Sequence, residues 1–502
     1  MRPVTRLAAL AAALALTACG SAAPLLDQAG SPRPSTPTSV GPRPALAAPA
    51  AFVPPVATVV EIPGAPPVWL VERHDVPLVA LHVVVPYGAA ADPAGQGGLA
   101  ALTAEMMEQG AGRRGALELG QAAERLGADL TVDADRDASS ARLVVLAENL
   151  EPALALLADV VARPRFEAEE WKRTHALWLA GIESRAFEPA AVAGVVTAAA
   201  LYGAGHPYGH PVDGTLASVG RIDLAAVKAF HARHWRPDRA AIVVAGDVTA
   251  EQLRALLPPA LAVWGATGAP PPLPTPPPAP ASPPPTVLVE RAESPQTMLL
   301  VARIGPAVGD AELPAVELVN IPLGATFTSR LNQNLREDKG YTYGARSRVP
   351  FSRGPGAVTA GAAVQSQVTE PALRELRGEL GRMIDEGPTA AELVKARATA
   401  QSRDVEAYEE VAATADRLAE LAGLGLAPDA DARAAAARAA VDAAAAKTAA
   451  ARLPTPDSMI VAVGDPAIVE AALSALGLPA PARFTPDGEP ATPAAPKAGA
   501  EP

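Results

Sequence analysis

The amino-acid sequence predicts an α+β protein built from two duplicated α/β domains, each a mainly antiparallel sheet flanked by helices. Three observations carry this prediction. A proline-rich stretch at residues 270–285 divides the chain into two segments of similar pattern. Each segment opens on an extended apolar run, residues 79–85 in the first and 298–304 in the second. Each closes on an apolar run ending in Gly-Asp, residues 241–247 and 459–465. Short runs of aliphatic residues bounded by turn residues read as strands.

The elements between these runs follow the same logic. Residues 149–162 and 371–386 have helical patterns, the second placing Leu373, Leu376, Leu380 and Met383 on one face. After Gly127 the period changes to alternation through Leu130, Val132 and Ala134, which reads as a strand. A strand–helix–strand–strand–helix order occurring twice points to duplication. The expected domains are residues 56–265 and 286–478, joined by a Pro-rich linker at 266–285.

Composition narrows the functional classes. The chain has 502 residues, of which 49% are hydrophobic and only 4% aromatic. Alanine supplies much of the apolar content, so the cores are expected to be closely packed, Ala-rich helices. A formal net charge of −12 argues against nucleic acid as a partner, because binding a polyanion needs a basic face. One cysteine excludes a disulfide framework and any Cys-rich metal site.

That cysteine has a specific setting. Arg2 and Arg6 precede an apolar run at residues 7–16, and Leu16-Thr17-Ala18-Cys19 closes it. Such a run is too short to span a bilayer and has the features of an export signal. Its last four residues resemble the lipobox of bacterial lipoproteins. The expectation is a signal peptide at 1–19, with Cys19 lipidated as an anchor and the protein facing the periplasm. The plainer alternative is a secretory leader that happens to contain a cysteine. Gly20 after Cys19 favours the outer membrane. Residues 20–55, rich in Pro, Ala, Ser and Gly, read as a tether spanning about 33 Å as a coil. Residues 479–502 read as a disordered tail, and the anchor is the only membrane contact expected.

Several motifs then point to a known family. Gly97-Gly98-Leu99-Ala100 enters a helix, His206-Pro207-Tyr208-Gly209 lies mid-segment, and Arg236-Pro237-Asp238 leads into a Gly-Asp strand. The second segment adds residues 328–331 (TSRL) and 335–344 (LREDKGYTYG). Across roughly residues 56–475 the chain resembles the pitrilysin/insulinase family of zinc peptidases. That resemblance implies the duplicated fold closing as a clamshell around extended peptide.

Family members carry H-x-x-E-H on the helix after Gly-Gly-Leu-Ala. Two histidines four apart on one helix face hold zinc, and the glutamate deprotonates the metal-bound water. Here the corresponding residues are Ala101-Leu102-Thr103-Ala104-Glu105. Both histidines and the base are replaced. The family's third ligand, a downstream glutamate, falls by count on Gly181, with Glu183 nearby. One carboxylate cannot supply the three ligands that catalytic zinc requires. His206 and His210 are flanked by prolines that exclude a regular helix, and His231 and His234 belong to a run matching the family's structural sequence. No metal or other cofactor is therefore expected in this chain.

What the second segment retains is a donor pair. Arg336 and Tyr343 stand at the separation at which, by the resemblance, an Arg and a Tyr hold the substrate backbone and donate to the developing oxyanion. Guanidinium and phenol suit that role as strong, orientable donors. The alternative is that Arg336 pairs with Glu337 or Asp338 and Tyr343 packs on its sheet; Tyr341 is a weaker candidate. The family includes enzymes with one zinc-bearing and one zinc-less subunit. The resemblance therefore implies a zinc-less subunit that supplies Arg336 and Tyr343 in trans to a zinc-bearing, pitrilysin-like partner. The other reading is a peptide-binding or envelope scaffold with no hydrolytic role.

Overall fold

The computed structural model describes residues 51–280 and 282–491. The signal peptide expected at 1–19, Cys19, and the tether up to residue 50 lie outside the described residues. So does the end of the chain from residue 492.

The first half forms a sheet from β1 (Thr58–Val60), β2 (Val68–Glu72) and β3 (Leu78–Val85), a two-residue hairpin apart from it, β4 (Gly110–Ala111) and β5 (Arg114–Gly115), and then β6 (Asp129–Ala134), β7 (Ser139–Leu146) and β8 (Ala241–Gly246). Its strand order is β1-β2-β8-β3-β7-β6. The second half contributes β9 (Thr286–Glu290), β10 (Gln296–Ile304), β11 (Thr342–Arg348), β12 (Ala357–Gln365), β13 (Met459–Gly464) and β14 (Ala482–Arg483). Their order is β14-β9-β13-β10-β12-β11, in which β9 to β11 repeat the arrangement of β2 to β6. Only the outermost strand differs: β14 comes from the end of the chain and runs parallel to β9, where β1 is antiparallel to β2.

In each sheet the central strand is antiparallel to both neighbours, as expected. Each also holds a parallel pair, β2 with β8 and β9 with β13. The sequence reading passed over β2 and β9, short apolar runs that carry no alternation. Gly246 ends β8 at φ +127°, and a Cβ there would stand 2.1 Å from the Leu78 carbonyl oxygen. Glycine at that strand end is thus imposed by the neighbouring backbone.

Alternation along the central strands builds two layers on each sheet. In β3, Val79, Leu81, Val83 and Val85 point into a core with the first half's own helices. Ala80 and Val84 point the other way, onto the helix Val411–Gly423 from the second half. The second sheet reciprocates. Leu299 and Val301 of β10 face their own core, while Met298, Leu300 and Ala302 meet the helix Pro189–Tyr202 from the first half. Each half thus lends a helix to cover the other's sheet. Ala80, Ala245 and Ala415 are fully buried at one such contact, where small side chains let helix and sheet approach closely.

Polar clamps fasten the exchange. His82 Nε2 donates to Asp416 Oδ1 at 2.8 Å, and Arg142 Nε donates to the same oxygen at 3.0 Å. Burial alone would raise the Asp416 carboxyl, but these two partners hold it below the usual carboxylate range. At the far edge, Tyr208 Oη donates to Asp137 Oδ1 at 2.6 Å and accepts from Gly354 N at 2.8 Å. Arg353 N donates to Asp137 Oδ2, while its Nη2 donates to the carbonyls of Asp137 and Gly423. The Tyr of His-Pro-Tyr-Gly is therefore a joint between the halves.

Two boundaries read differently in the structure. The linker at 266–285 is irregular but fastened: Tyr87 Oη donates to the Pro271 carbonyl at 2.7 Å, and His206 Nε2 to that of Pro277 at 2.8 Å. The expected disordered tail is corrected over residues 479–491. There β14 pairs in parallel with β9, and Arg483 Nη1 binds Glu290 at 2.7 Å. Its Pro/Ala composition hides this order, because the pairing uses backbone rather than apolar side chains. Among the described residues no helix is long and apolar enough to cross a membrane.

The exchange makes a direct prediction. Ala415→Phe overpacks the contact with Ala80 and Ala245 and should lower stability by about 1–3 kcal/mol, read as a shift of the urea midpoint. An unchanged midpoint would show that helix 411–423 is not seated on the first sheet.

Candidate functional site

The replaced zinc motif lies on the helix Leu99–Glu108, whose N-terminus is tied by Asp92. The backbone N–H groups of Gly98 and Ala100 each donate to an Asp92 carboxylate oxygen at 2.8 Å. Burial pushes that carboxyl up to about 8, opposed by these same N–H groups. Ala101 and Ala104 are both buried, and Ala104, in place of the base, packs in the first half's core.

Glu105 is half-buried and lines a cavity of about 390 Å³ with Arg173, Thr174, Trp178, Gly181 and Asp213. Gly181, the position counted for the third ligand, does face this space, carried by the helix Ala168–Arg185. It brings no donor atom. Glu183 is exposed and outside the cavity's lining. Gln109 Nε2 donates to Glu105 Oε1 at 3.0 Å, and Arg173 Nη2 donates to Gln109 Oε1 at 2.6 Å. One turn on, burial pushes the Glu108 carboxyl up to about 7, with Glu105, Asp133 and Asp129 adding to the rise. The carboxylates at the family's metal position are thus Glu105, held by an amide, and Asp213, ion-paired with Arg185 at 2.7 Å; with no histidine beside them they do not fit catalytic zinc.

The histidines are engaged elsewhere. His206 bridges the Pro277 carbonyl and the Tyr208 N–H within a turn, with no helix linking it to His210. His231 and His234 do share the helix Leu224–His234. His231 Nε2 donates to the Val161 carbonyl at 2.9 Å, whereas His234 is buried between Tyr87 and Phe230. Burial lowers His234 to about 4. Among the described residues, no three His, Cys, Asp or Glu side chains come together to hold a metal ion.

Arg336 and Tyr343 occupy a different setting. Arg336 lies on a π-helical segment, Gln333–Asp338, that ends at Gly340, where φ is +67°. Tyr343 follows on β11, the edge strand of the second sheet, and is 92% exposed. Both line one groove of about 940 Å³, and Ala190 of the exchanged helix also contributes to it. Arg336 keeps a loose ion pair with Glu337 at 3.6 Å, as the plainer reading expected. Tyr343, however, stands clear of its sheet. Tyr341 is instead partly buried against the second core.

The groove also holds residues that sequence reasoning missed. Phe327 is 65% exposed, and the Arg336 guanidinium stacks over its ring at 4.0 Å. Arg346 and Arg348 line the same wall. Their i, i+2 spacing along a strand was the available signal, masked because neither belongs to a run quoted for the family.

Comparison with known proteins identifies the family and the fold. Residues 68–207 match the insulinase (peptidase family M16) family, and residues 221–400 the peptidase M16 inactive domain. The chain is 27% identical over 282 residues to an uncharacterized zinc protease of Mycobacterium leprae; the match covers 56% of this chain and 62% of that protein, less than two thirds of its length. It is 24% identical over 186 residues to a non-peptidase homolog of Helicobacter pylori, covering 37% of this chain and 43% of the other. A crystal structure of a peptidase M16 inactive domain from Pseudomonas fluorescens matches with a TM-score of 0.75 at 27% identity, over 82% of this chain and 98% of that one. A protease from Helicobacter pylori matches in fold, with a TM-score of 0.76 at 17% identity, over 82% of this chain and 100% of that one. The chain belongs to the peptidase M16 (insulinase) family.

Proposed function

We propose that this chain is a zinc-less subunit of a two-subunit M16 peptidase. It holds extended peptide and supplies Arg336 and Tyr343 to a partner that carries the zinc. One observation carries the reading: Arg336 and Tyr343 share an open groove, while the cavity at the metal position has no histidine and only two carboxylates, Glu105 and the ion-paired Asp213. The exposed phenol and the part-exposed guanidinium are free to meet a peptide carbonyl brought from outside the chain. Donors aimed at a developing oxyanion act most strongly once water is excluded, which closure of a partner over the groove achieves.

A second reading, a peptide-binding or envelope scaffold, draws support from the Helicobacter pylori relative named as a non-peptidase homolog. It differs in requiring no hydrolytic partner. In either case the proposed location is the cell envelope, facing the periplasm from the outer membrane and anchored through Cys19, which lies outside the described residues.

Two outcomes test these proposals. Mixed with a zinc-bearing M16 subunit, the chain should support peptide cleavage, and Arg336→Ala should slow it by about a hundred- to a thousandfold. Full cleavage by the Arg336→Ala mixture would remove the trans-donor role; no cleavage with any such partner would favour the scaffold. In cells given radiolabelled palmitate, the protein should take up label and Cys19→Ala should not. Equal labelling of the two would refute the anchor.

A further inference from the structure

The groove beside Arg336 has a charge opposite to that of the protein. The chain carries a formal net charge of −12, yet the groove's lining includes Arg336, Arg346 and Arg348 and no Asp or Glu. Arg346 and Arg348 are exposed on β11, and among the described residues their side chains make no hydrogen bond or ion pair. In an acidic protein that pairs most of its arginines, two solvent-exposed guanidinium groups on one wall stand outside any internal network and are open to an anionic partner.

Their placement defines a register. Ser347, between them, points inward with Oγ toward the Asn320 carbonyl, so Arg346 and Arg348 share the opposite face of β11. Two residues along a strand is about 6.8 Å, the same repeat as alternate side chains of an added strand. β11 pairs on one side only, with β12, and its Ala345–Arg348 stretch keeps regular register beyond the irregularity at Thr342. Opposite Arg346, β12 presents Gly361, which leaves that part of the groove floor without a side chain. A peptide adding to this edge would set alternate side chains beside the two arginines. The neighbouring recess does contain three acids, but Asp135 accepts from the backbone N–H groups of Asp137 and Ala138, Asp137 is bound by Tyr208 and Arg353, and Glu420 by Arg417.

From this we infer that the groove selects peptides carrying Asp or Glu at alternate positions, read by Arg346 and Arg348 as the peptide extends β11. The inference rests on the peptide-holding reading above and adds its substrate class. The test is fluorescence anisotropy at low salt, using the full mature chain and short rhodamine-labelled peptides. These are identical except for Glu, Gln or Lys at alternate positions. The Glu peptide should bind about tenfold more tightly than the Gln peptide, with Lys weakest. Arg346→Ala/Arg348→Ala should level Glu with Gln, and Arg346→Glu/Arg348→Glu should invert the order. Circular dichroism checks that the variants fold, as substitutions at exposed positions should allow. Equal binding of Glu and Gln peptides to the wild type overturns the charge preference and leaves the peptide-holding reading intact. Binding of none of the three overturns both.

Discussion

The structure depends on an exchange of helices. Each sheet buries one face under its own helices and the other under a helix borrowed from the opposite half. Neither half is complete alone, because the inward face of β3 or β10 would otherwise expose its apolar side chains to water. Ala80, Ala245 and Ala415 permit the close approach, and His82, Arg142 and Asp416 fix its register. A duplicated fold thereby becomes one interlocked body. The groove at β11 inherits that rigidity, since Met298 and Leu300, beneath helix 189–202, also line it.

That interlocking explains how the metal position could be lost without loss of the fold. The helix carrying residues 101–105 is held by burial and by Asp92, not by ligation. The buried methyl groups at 101 and 104 carry no charge and need no ion to neutralise them. Zinc in such a site contributes chemistry, and its removal need not unfold a protein whose core stands on two layers of apolar contacts. The retained features lie in the other half: an exposed Tyr343, an Arg336 stacked on Phe327, and an unpaired sheet edge.

Much of this was legible in the sequence. Apolar runs with matching Gly-Asp ends identified the central and closing strands of both sheets, and counting from residue 105 placed Gly181 in the same cavity as Glu105. What stayed hidden was mostly non-local. β2 and β9 are short and pair in parallel, so nothing in their pattern marks their partners. Helix 411–423 looks like an ordinary amphipathic segment and helix 189–202 is apolar nearly all round, so each pattern records burial but not by which half. β14 was misread as tail since its bonds are made by backbone. Arg346 and Arg348 were passed over because an arginine's lack of a partner is visible only in three dimensions.

The central claim is the proposal that this chain holds peptide in the β11 groove and binds no catalytic zinc in the cavity beside Glu105. The most direct test is elemental analysis of the purified mature protein after equilibration with zinc and gel filtration. The account predicts zinc far below one equivalent per chain, unchanged by Glu105→Gln. One tightly held equivalent that disappears on Glu105→Gln would contradict it.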